Sequence, residues 1–507
     1  MSQKSRTYKA KLNMFFSLLQ QVVAFICGII VPRIMLHSYG SEAYGAISSI
    51  ATFLSYITLI EGGIGAVTRS ALYKAFANRS DEEVSAIVSE SKRFYRRIAI
   101  VFSIYIIVLG LFFKQLSHNT VFSYWYSFGL VIVISLSTFA EYFIGISYSL
   151  LLQADQANYI NVIFRSITTI LNTVVIVFLT SMKCDILTVK LFSSIVFIIR
   201  PILLSLYVKN KYSIKNINYK QTFINNKGSA VGQHIAWALH NNTDITVLTI
   251  FKDLATVSVY SVNSMIINQL QSIINAFTSG MEAVFGSMYA NKEHDKLQKT
   301  FGYYETMISI LSLTLLSTAA VMIVPFVEIY TKGVSDIKYA DTTFSTLLVI
   351  ATMLYCLRSP YGNMVIAAGR FTETKTAAYG EAVINVTVSI LMVLKFGLIG
   401  VAIGTILATL FRFTYYAFYL SKHVLYRKSS LWLKRMLTNF VNFFVIYYMG
   451  NAIIMHFDLN NYIRWAMAAG TVTLLAGLIT VILNLCIYRP DVEAIIRKGT
   501  IRNFKCK

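Results

Sequence analysis

Residues 158–179 read NYINVIFRSITTILNTVVIVFL, an apolar run interrupted by Asn158, Asn161, Arg165 and Asn172. On a helix, at about 100° per residue, these four side chains fall within roughly 60° of one another. The pattern predicts a helix with a single polar edge. Two other segments share it. Over 229–251, Gln233, Trp237, His240 and Asp244 recur at spacings of 4, 3 and 4, with Asn241 alongside. Over 255–283, Ser261, Ser264, Asn268, Gln271, Ser272, Asn275, Ser279 and Glu282 occupy roughly 100° of one helix face.

Apolar runs of this length recur along the whole chain. A window of about 19 residues predicts about fourteen spans, with cores near 13–36, 44–65, 98–114, 122–147, 158–180, 186–208, 229–251, 255–283, 302–329, 342–368, 376–394, 397–421, 436–456 and 462–487. The expected fold is an all-α polytopic membrane protein. Composition agrees: of 507 residues, 56% are hydrophobic and 13% charged, against about 25% charged in soluble domains. The basic N-terminal segment MSQKSRTYKAKLNMFF leads into a long apolar run containing Gln20 and Gln21, which reads as a retained first helix rather than a signal peptide.

Charge then orients the spans. With the N-terminus inside and strict alternation, the cytoplasmic segments hold 32 Lys and Arg and the opposite side holds 8. That asymmetry is the positive-inside pattern and places both termini in the cytoplasm. It also explains the net charge of +22 without nucleic acid. Five basic residues remain within spans: Arg165, Lys190, Arg200, Arg358 and Arg412. Lys190 is near a helix end and can snorkel. A mid-membrane arginine costs on the order of 3 kcal/mol and normally faces a bundle interior or water.

The chain also resembles itself. At a shift of 215, HSYGSEAYGAISS (37–49) lies over KDLATVSVYSVNS (252–264), and GIGAVTRSALYKAF (63–76) over TSGMEAVFGSMYAN (278–291). At 213, Asn172 falls on Asn385; at 212, Arg200 falls on Arg412. An even period of six spans predicts two halves of the same orientation, a transporter architecture. The expected division is a six-helix lobe over 1–210, a cytoplasmic linker over 211–227, a second six-helix lobe over 228–424, two extra helices over 425–490 and a basic tail over 491–507.

Isolated serines and threonines serve as polar glue between helices, but stripes that also carry Arg, Asp, Glu and His are read as lining a hydrated cavity. Its cations, Arg165, Arg200, Arg358 and Arg412, favour an anionic substrate, because a guanidinium can fork around phosphate. Asn158, Asn161, Asn172, Gln233, His240, Asn268, Gln271 and Asn275 would bond hydroxyl-rich sugars. Arg358 precedes Ser359-Pro360, where a proline can break the helix and free backbone groups. The carboxylates Glu61, Glu141, Asp244, Glu282 and Glu381 are either partners for buried arginines or proton or sodium sites for coupling. Glu61 precedes Gly62-Gly63, an expected helix break. The five cysteines form no metal pattern, and no Walker loop or dinucleotide motif is present. Neither a metal, a bound cofactor nor an enzymatic activity is expected.

The early YGSEAYGAISSI, the EGGIGAVTRSALYKAF that closes the second span and the SLLLQADQANYINVIFRS leading into the fifth resemble the polysaccharide biosynthesis proteins. These are the Wzx-type lipid-linked oligosaccharide flippases of the multidrug/oligosaccharidyl-lipid/polysaccharide exporter (MOP) superfamily. The resemblance runs from residue 1 to about 490. It implies two six-helix lobes with two additional C-terminal helices and a cationic central cavity. The implied substrate is undecaprenyl pyrophosphate carrying a repeat unit of O-antigen, capsule or exopolysaccharide, moved across the bacterial inner membrane and driven by an ion gradient. Membrane lipids and the polysaccharide polymerase and chain-length machinery are the implied partners. A lipid II flippase and a MATE-type multidrug antiporter of the same fold are alternatives; four intramembrane arginines disfavour the second. A membrane polysaccharide polymerase or ligase needs a large outward loop, and the longest here is about a dozen residues (330–341).

Overall fold

The computed structural model describes residues 3–61, 63–78, 80–212, 214, 231–278 and 280–499, without the side chains of 3–7, 60, 231–237, 240 and 492–499. Most of the 211–227 linker and residues 500–507 of the tail lie outside the described residues. The protein is an all-α polytopic membrane protein, with no strand among the described residues. It divides into two compact units, 1–258 and 259–507.

The first unit holds α1 (Gln3–Ser55), α2 (Ile57–Glu61), α3 (Ile64–Ala77), α4 (Asp81–Leu116), α5 (Tyr124–Ala140), a π-helical turn (Glu141–Gly145), α6 (Ile146–Ala154), α7 (Asn158–Ser181), α8 (Ile186–Lys211) and α9 (Val231–Phe251). Then come α10 (Leu254–Thr278), which crosses the division, α11 (Met281–Ala290), α12 (His294–Tyr330), α13 (Thr342–Ala367), α14 (Phe371–Phe396), α15 (Leu398–His423), α16 (Ser430–Ile454) and α17 (Tyr462–Gly499). Each of the fourteen sequence-predicted spans overlaps a helix among the described residues. Among the described residues eleven helical runs are long and apolar enough to cross a membrane, and the first of these, Tyr8–Leu59, takes in one predicted span and most of the next. Its two parts meet at Gly40, whose φ of 81° and ψ of 177° suit only glycine. α9 and α10 are not among the eleven; the polar stripe of α10 lowers its mean hydropathy.

Capping residues fix several helix starts. The Ser80 side chain accepts from the Glu83 amide ahead of an acidic first turn, and Asp185 and Asp341 cap α8 and α13 in the same manner. The core of the first unit gathers Ile50, Val88, Phe102, Phe113, Leu151 and Leu204, all essentially without exposure. α9 is joined to α1 through Ser49 and Thr249 (2.7 Å).

The repeat has structural counterparts. Gly63 and Gly280, each in the left-handed region, start α3 and α11. Asn172 accepts from Ser193 (2.5 Å) and Asn385 donates to Thr405 (3.1 Å), so the same helix pair is tied at the same place in each half. The expected break at Glu61 is present: α2 ends there and α3 begins at Ile64. Two expectations need correction. α10 stops at Thr278, so Glu282 is in the first turn of α11 and does not extend the α10 stripe. α13 runs unbroken through Pro360. Pro360 has no N–H for the Cys356 carbonyl, but the Ser359 hydroxyl donates to that oxygen (2.8 Å) and removes the reason for a break.

Candidate functional site

In each unit three helices bring together one carboxylate and two arginines. In the first unit the π-helical turn carries Glu141, α7 carries Arg165 and α8 carries Arg200. Arg200 reaches Glu141 at 3.6 Å and donates to the Asn161 side-chain oxygen at 2.9 and 3.3 Å. Asn161 donates in turn to Ser149 (2.9 Å) and Asn158 (3.3 Å). At 3.6 Å the Glu141–Arg200 contact is electrostatic rather than a hydrogen bond, and both side chains are more than a fifth exposed. Arg165 is exposed and lies within electrostatic reach of Arg200 and Glu141, yet its guanidinium makes no hydrogen bond or ion pair among the described residues.

The α7 stripe therefore divides. Asn161 and Asn172 are buried and tie α7 to α6 and α8, while Asn158 is half-buried and Arg165 exposed. Ile167, Ile170, Val174 and Phe178 are exposed on the other side of the helix, where lipid would lie. Gly145 ends the π-helical turn, and a Cβ there would come within 2.9 Å of both the Glu141 carboxylate and Pro201 of α8. The missing side chain is what lets α8 approach and leaves Glu141 room beside Arg200.

In the second unit the carboxylate has changed helix. α13 carries Arg358, α14 Glu381 and α15 Arg412. Glu381 is fully buried, with one oxygen on Arg358 and the other on Arg412 (2.5 Å). Arg412 also donates to Tyr416 at 2.7 and 2.9 Å. Thus the first three-charge cluster is loose and accessible, and the second is tight and closed.

A second polar centre in the first unit surrounds the break after α2. Glu61 accepts from the hydroxyls of Tyr95 on α4 (3.0 Å) and Tyr142 on the π-helical turn (3.3 Å). A Cβ on Gly65 would come within 3.0 Å of the Glu61 carboxylate. Asp244 on α9 is buried and interacts with Tyr56. Of the remaining sequence candidates, Asn268 and Glu282 are exposed and Gln271 and Asn275 half-buried. The side chains of Gln233 and His240 lie outside the described residues.

One buried network was not anticipated. Glu305 of α12 accepts from Arg427 (2.9 and 3.3 Å) and Tyr361, and pairs with Arg435 of α16 (3.2 Å), which reaches Asp491 of α17 at 2.8 Å. Burial disfavours the Arg427 charge, but Glu305 and Tyr361 beside it outweigh that and hold its pKa above the ordinary guanidinium value. In the sequence Arg427 and Arg435 are two more cations in a basic loop. The available signal was Glu305 itself, a lone acid entering an apolar helix. No group of His, Cys, Asp and Glu suited to a metal occurs among the described residues.

No protein-family model matches the sequence, and no curated protein matches it. Solved structures do. The chain is similar to the lipid II flippase MurJ in its inward closed conformation, at 16% identity and a TM-score of 0.64, over 94% of this chain and 99% of that one. It is similar to an inward-facing multidrug resistance MATE transporter of the MOP superfamily, at 15% identity and a TM-score of 0.56, over 80% of this chain and 95% of that one. A MOP superfamily transporter from Pyrococcus furiosus, described by a reversed polarity of its binding pocket, matches at 14% identity and a TM-score of 0.53, over 81% of this chain and 96% of that one. The fold of this chain is accordingly the one these MOP superfamily transporters share.

Proposed function

We propose that the protein is a flippase that carries undecaprenyl-pyrophosphate-linked oligosaccharide repeat units across the bacterial inner membrane by alternating access, coupled to a proton or sodium gradient. Its product feeds O-antigen, capsule or exopolysaccharide synthesis, and both termini are cytoplasmic. The observation that carries this reading is the loose cluster of the first unit, where an unpaired, exposed Arg165 and a half-satisfied Arg200 sit beside Asn158 on an apolar helix. A guanidinium held without a partner among apolar segments is costly, and an anionic ligand offsets the cost. The half-buried Asn158 on the same helix supplies hydrogen bonds for sugar hydroxyls. Glu381, balanced by two arginines, is read as a packing group, and of the other candidates, Glu61, Asp244, Glu282 and Glu141, the favoured coupling groups are Glu61 and Asp244.

A second reading is lipid II flipping, favoured by the near full-length similarity to MurJ; its substrate is also a polyprenyl pyrophosphate. Deleting the gene in its host and analysing lipid-linked glycans of the cytoplasmic leaflet separates the two. Accumulation of a dispensable oligosaccharide repeat unit supports the proposal. Accumulation of lipid II with growth arrest supports the second reading, and no accumulation overturns both.

A further inference from the structure

Asn442 of α16 and Thr480 of α17 are fully buried, although their helices turn Leu437 and Val441, and Leu478 and Ile482, outward. Thr480 continues the buried stripe of Ala468, Val472 and Ala476. The amide nitrogen and oxygen of Asn442 and the hydroxyl of Thr480 have no hydrogen-bond partner among the described residues. Polar atoms enclosed without a partner are costly. Contacts along the helices place the two residues side by side. α12 and α16 run in the same direction: Arg435 donates to Thr306 (2.7 Å), and one turn on Ser309 donates to Asn439 (2.6 Å). Three residues further, Asn442 stands level with residue 312. α17 runs the opposite way: Thr306 donates to Asp491 (3.2 Å), and a Cβ on Gly477 would lie 3.8 Å from the Thr314 methyl. Three residues beyond Gly477, Thr480 stands level with residue 311. One residue of helix rises about 1.5 Å, so Asn442 and Thr480 are at nearly the same depth, yet they make no bond to each other.

We propose that the seam between α12, α16 and α17 binds ordered water through Asn442 and Thr480, and that this water joins the last two helices. The donors and acceptors select the ligand. An alkali cation suits the Asn442 oxygen and the Thr480 hydroxyl but not the amide N–H groups. An anion suits the N–H groups but finds no free cation beside them, since Arg435, two turns away on α16, is engaged by Glu305 and Asp491. An apolar occupant leaves all three atoms unpaired. Water accepts from the amide nitrogen and donates to the amide oxygen and the hydroxyl, and buried waters typically make about three such bonds. The Ser309–Asn439 pair closes the site on one side, and Ile446 and Ala476, both without exposure, close it on the other. None of the three helices carries a member of either three-charge cluster, so the site stands apart from the proposed function.

X-ray radiolysis of the full chain in lipid nanodiscs tests this, because hydroxyl radicals formed from a bound water oxidise the buried side chains beside it. Phe443 and Ile446, buried neighbours of Asn442 on α16, are expected to be oxidised in the natural chain and to lose most of that oxidation when Asn442→Leu and Thr480→Val are combined. Melting temperatures give the second readout. Water shared by the two residues predicts that each single variant melts lower than the natural chain, and that the double variant loses less than the sum. Absence of oxidation at Phe443 and Ile446, or equal oxidation in the double variant, overturns the water site. Single variants that melt higher than the natural chain overturn it too, as expected of polar groups buried dry, and so do single effects that simply add. Coupled melting without oxidation identifies a direct Asn442–Thr480 hydrogen bond and likewise overturns the proposal.

Discussion

Arg165 and Glu381 show how context decides what a buried-segment charge does. Arg165 is exposed as a residue and its guanidinium makes no hydrogen bond or ion pair among the described residues, whereas Glu381 is enclosed by two arginines. A hydrogen bond to a charged group is worth roughly 1.5–3 kcal/mol, so Arg165→Ala is expected to slow glycan export by about one to two orders of magnitude at normal membrane abundance. Arg165→Lys recovers part of this, since a lysine cannot fork around phosphate. Glu381→Ala behaves differently. It leaves two buried guanidinium groups facing each other, at a cost of about 3–5 kcal/mol, and membrane abundance falls together with export. Blotting for abundance alongside glycan export distinguishes the two classes, and loss of abundance in Arg165→Ala would count against its role as a ligand contact.

Among the elements, what the sequence could announce was what one helix can encode alone. The 3.6-residue stripes, the basic loops and the glycines before α3 and α11 all depend on neighbours a few positions away, and helix existence followed from them. Charge pairing between helices does not have that property. Glu141 and Arg200 are 59 positions apart and Glu305 and Arg427 are 122 apart, and no local pattern links them. Asn161 and Asn172 looked like cavity residues because periodicity reports a shared face and not whether another helix covers it. The π-helical turn has no sequence signature in EYFIG, and the intact α13 depended on one serine hydroxyl that a proline rule ignores. Close helix approach, in contrast, is testable through glycine. A Cβ at Gly404 of α15 would come within 2.3 Å of the Ser389 hydroxyl and 2.9 Å of its backbone nitrogen on α14. Gly404→Ala must push these helices apart, and overpacking of this kind costs about 1–3 kcal/mol. A lowered melting temperature in detergent is the expected outcome, with Gly470→Ala, whose added Cβ would meet nothing within 4 Å, as the silent control. Equal melting of the two variants would contradict this packing.

For the whole molecule, the split of 32 basic residues against 8 predicts an orientation that labelling tests. Asn291 and Ser335 are both exposed, at opposite ends of α12. In a background without the natural cysteines, Ser335→Cys is expected to react with an impermeant maleimide in intact cells, and Asn291→Cys only after permeabilisation. The same labelling pattern at both positions would reverse the assignment for this part of the chain.

The Glu305 network sets an order of events during synthesis. Glu305 enters the membrane with α12, but Arg427 emerges 122 residues later and Arg435 and Asp491 later still. At about 5–20 residues per second of translation, the acid waits on the order of 10 s for its first guanidinium. Tyr361, which donates to Glu305 and arrives 56 residues after it, is the partner that bridges the interval. Nascent chains that end between α13 and α15 therefore hold Glu305 with the Tyr361 hydroxyl but without a guanidinium. Those that have passed Arg435 have exchanged a liability for the clasp that holds the last two helices.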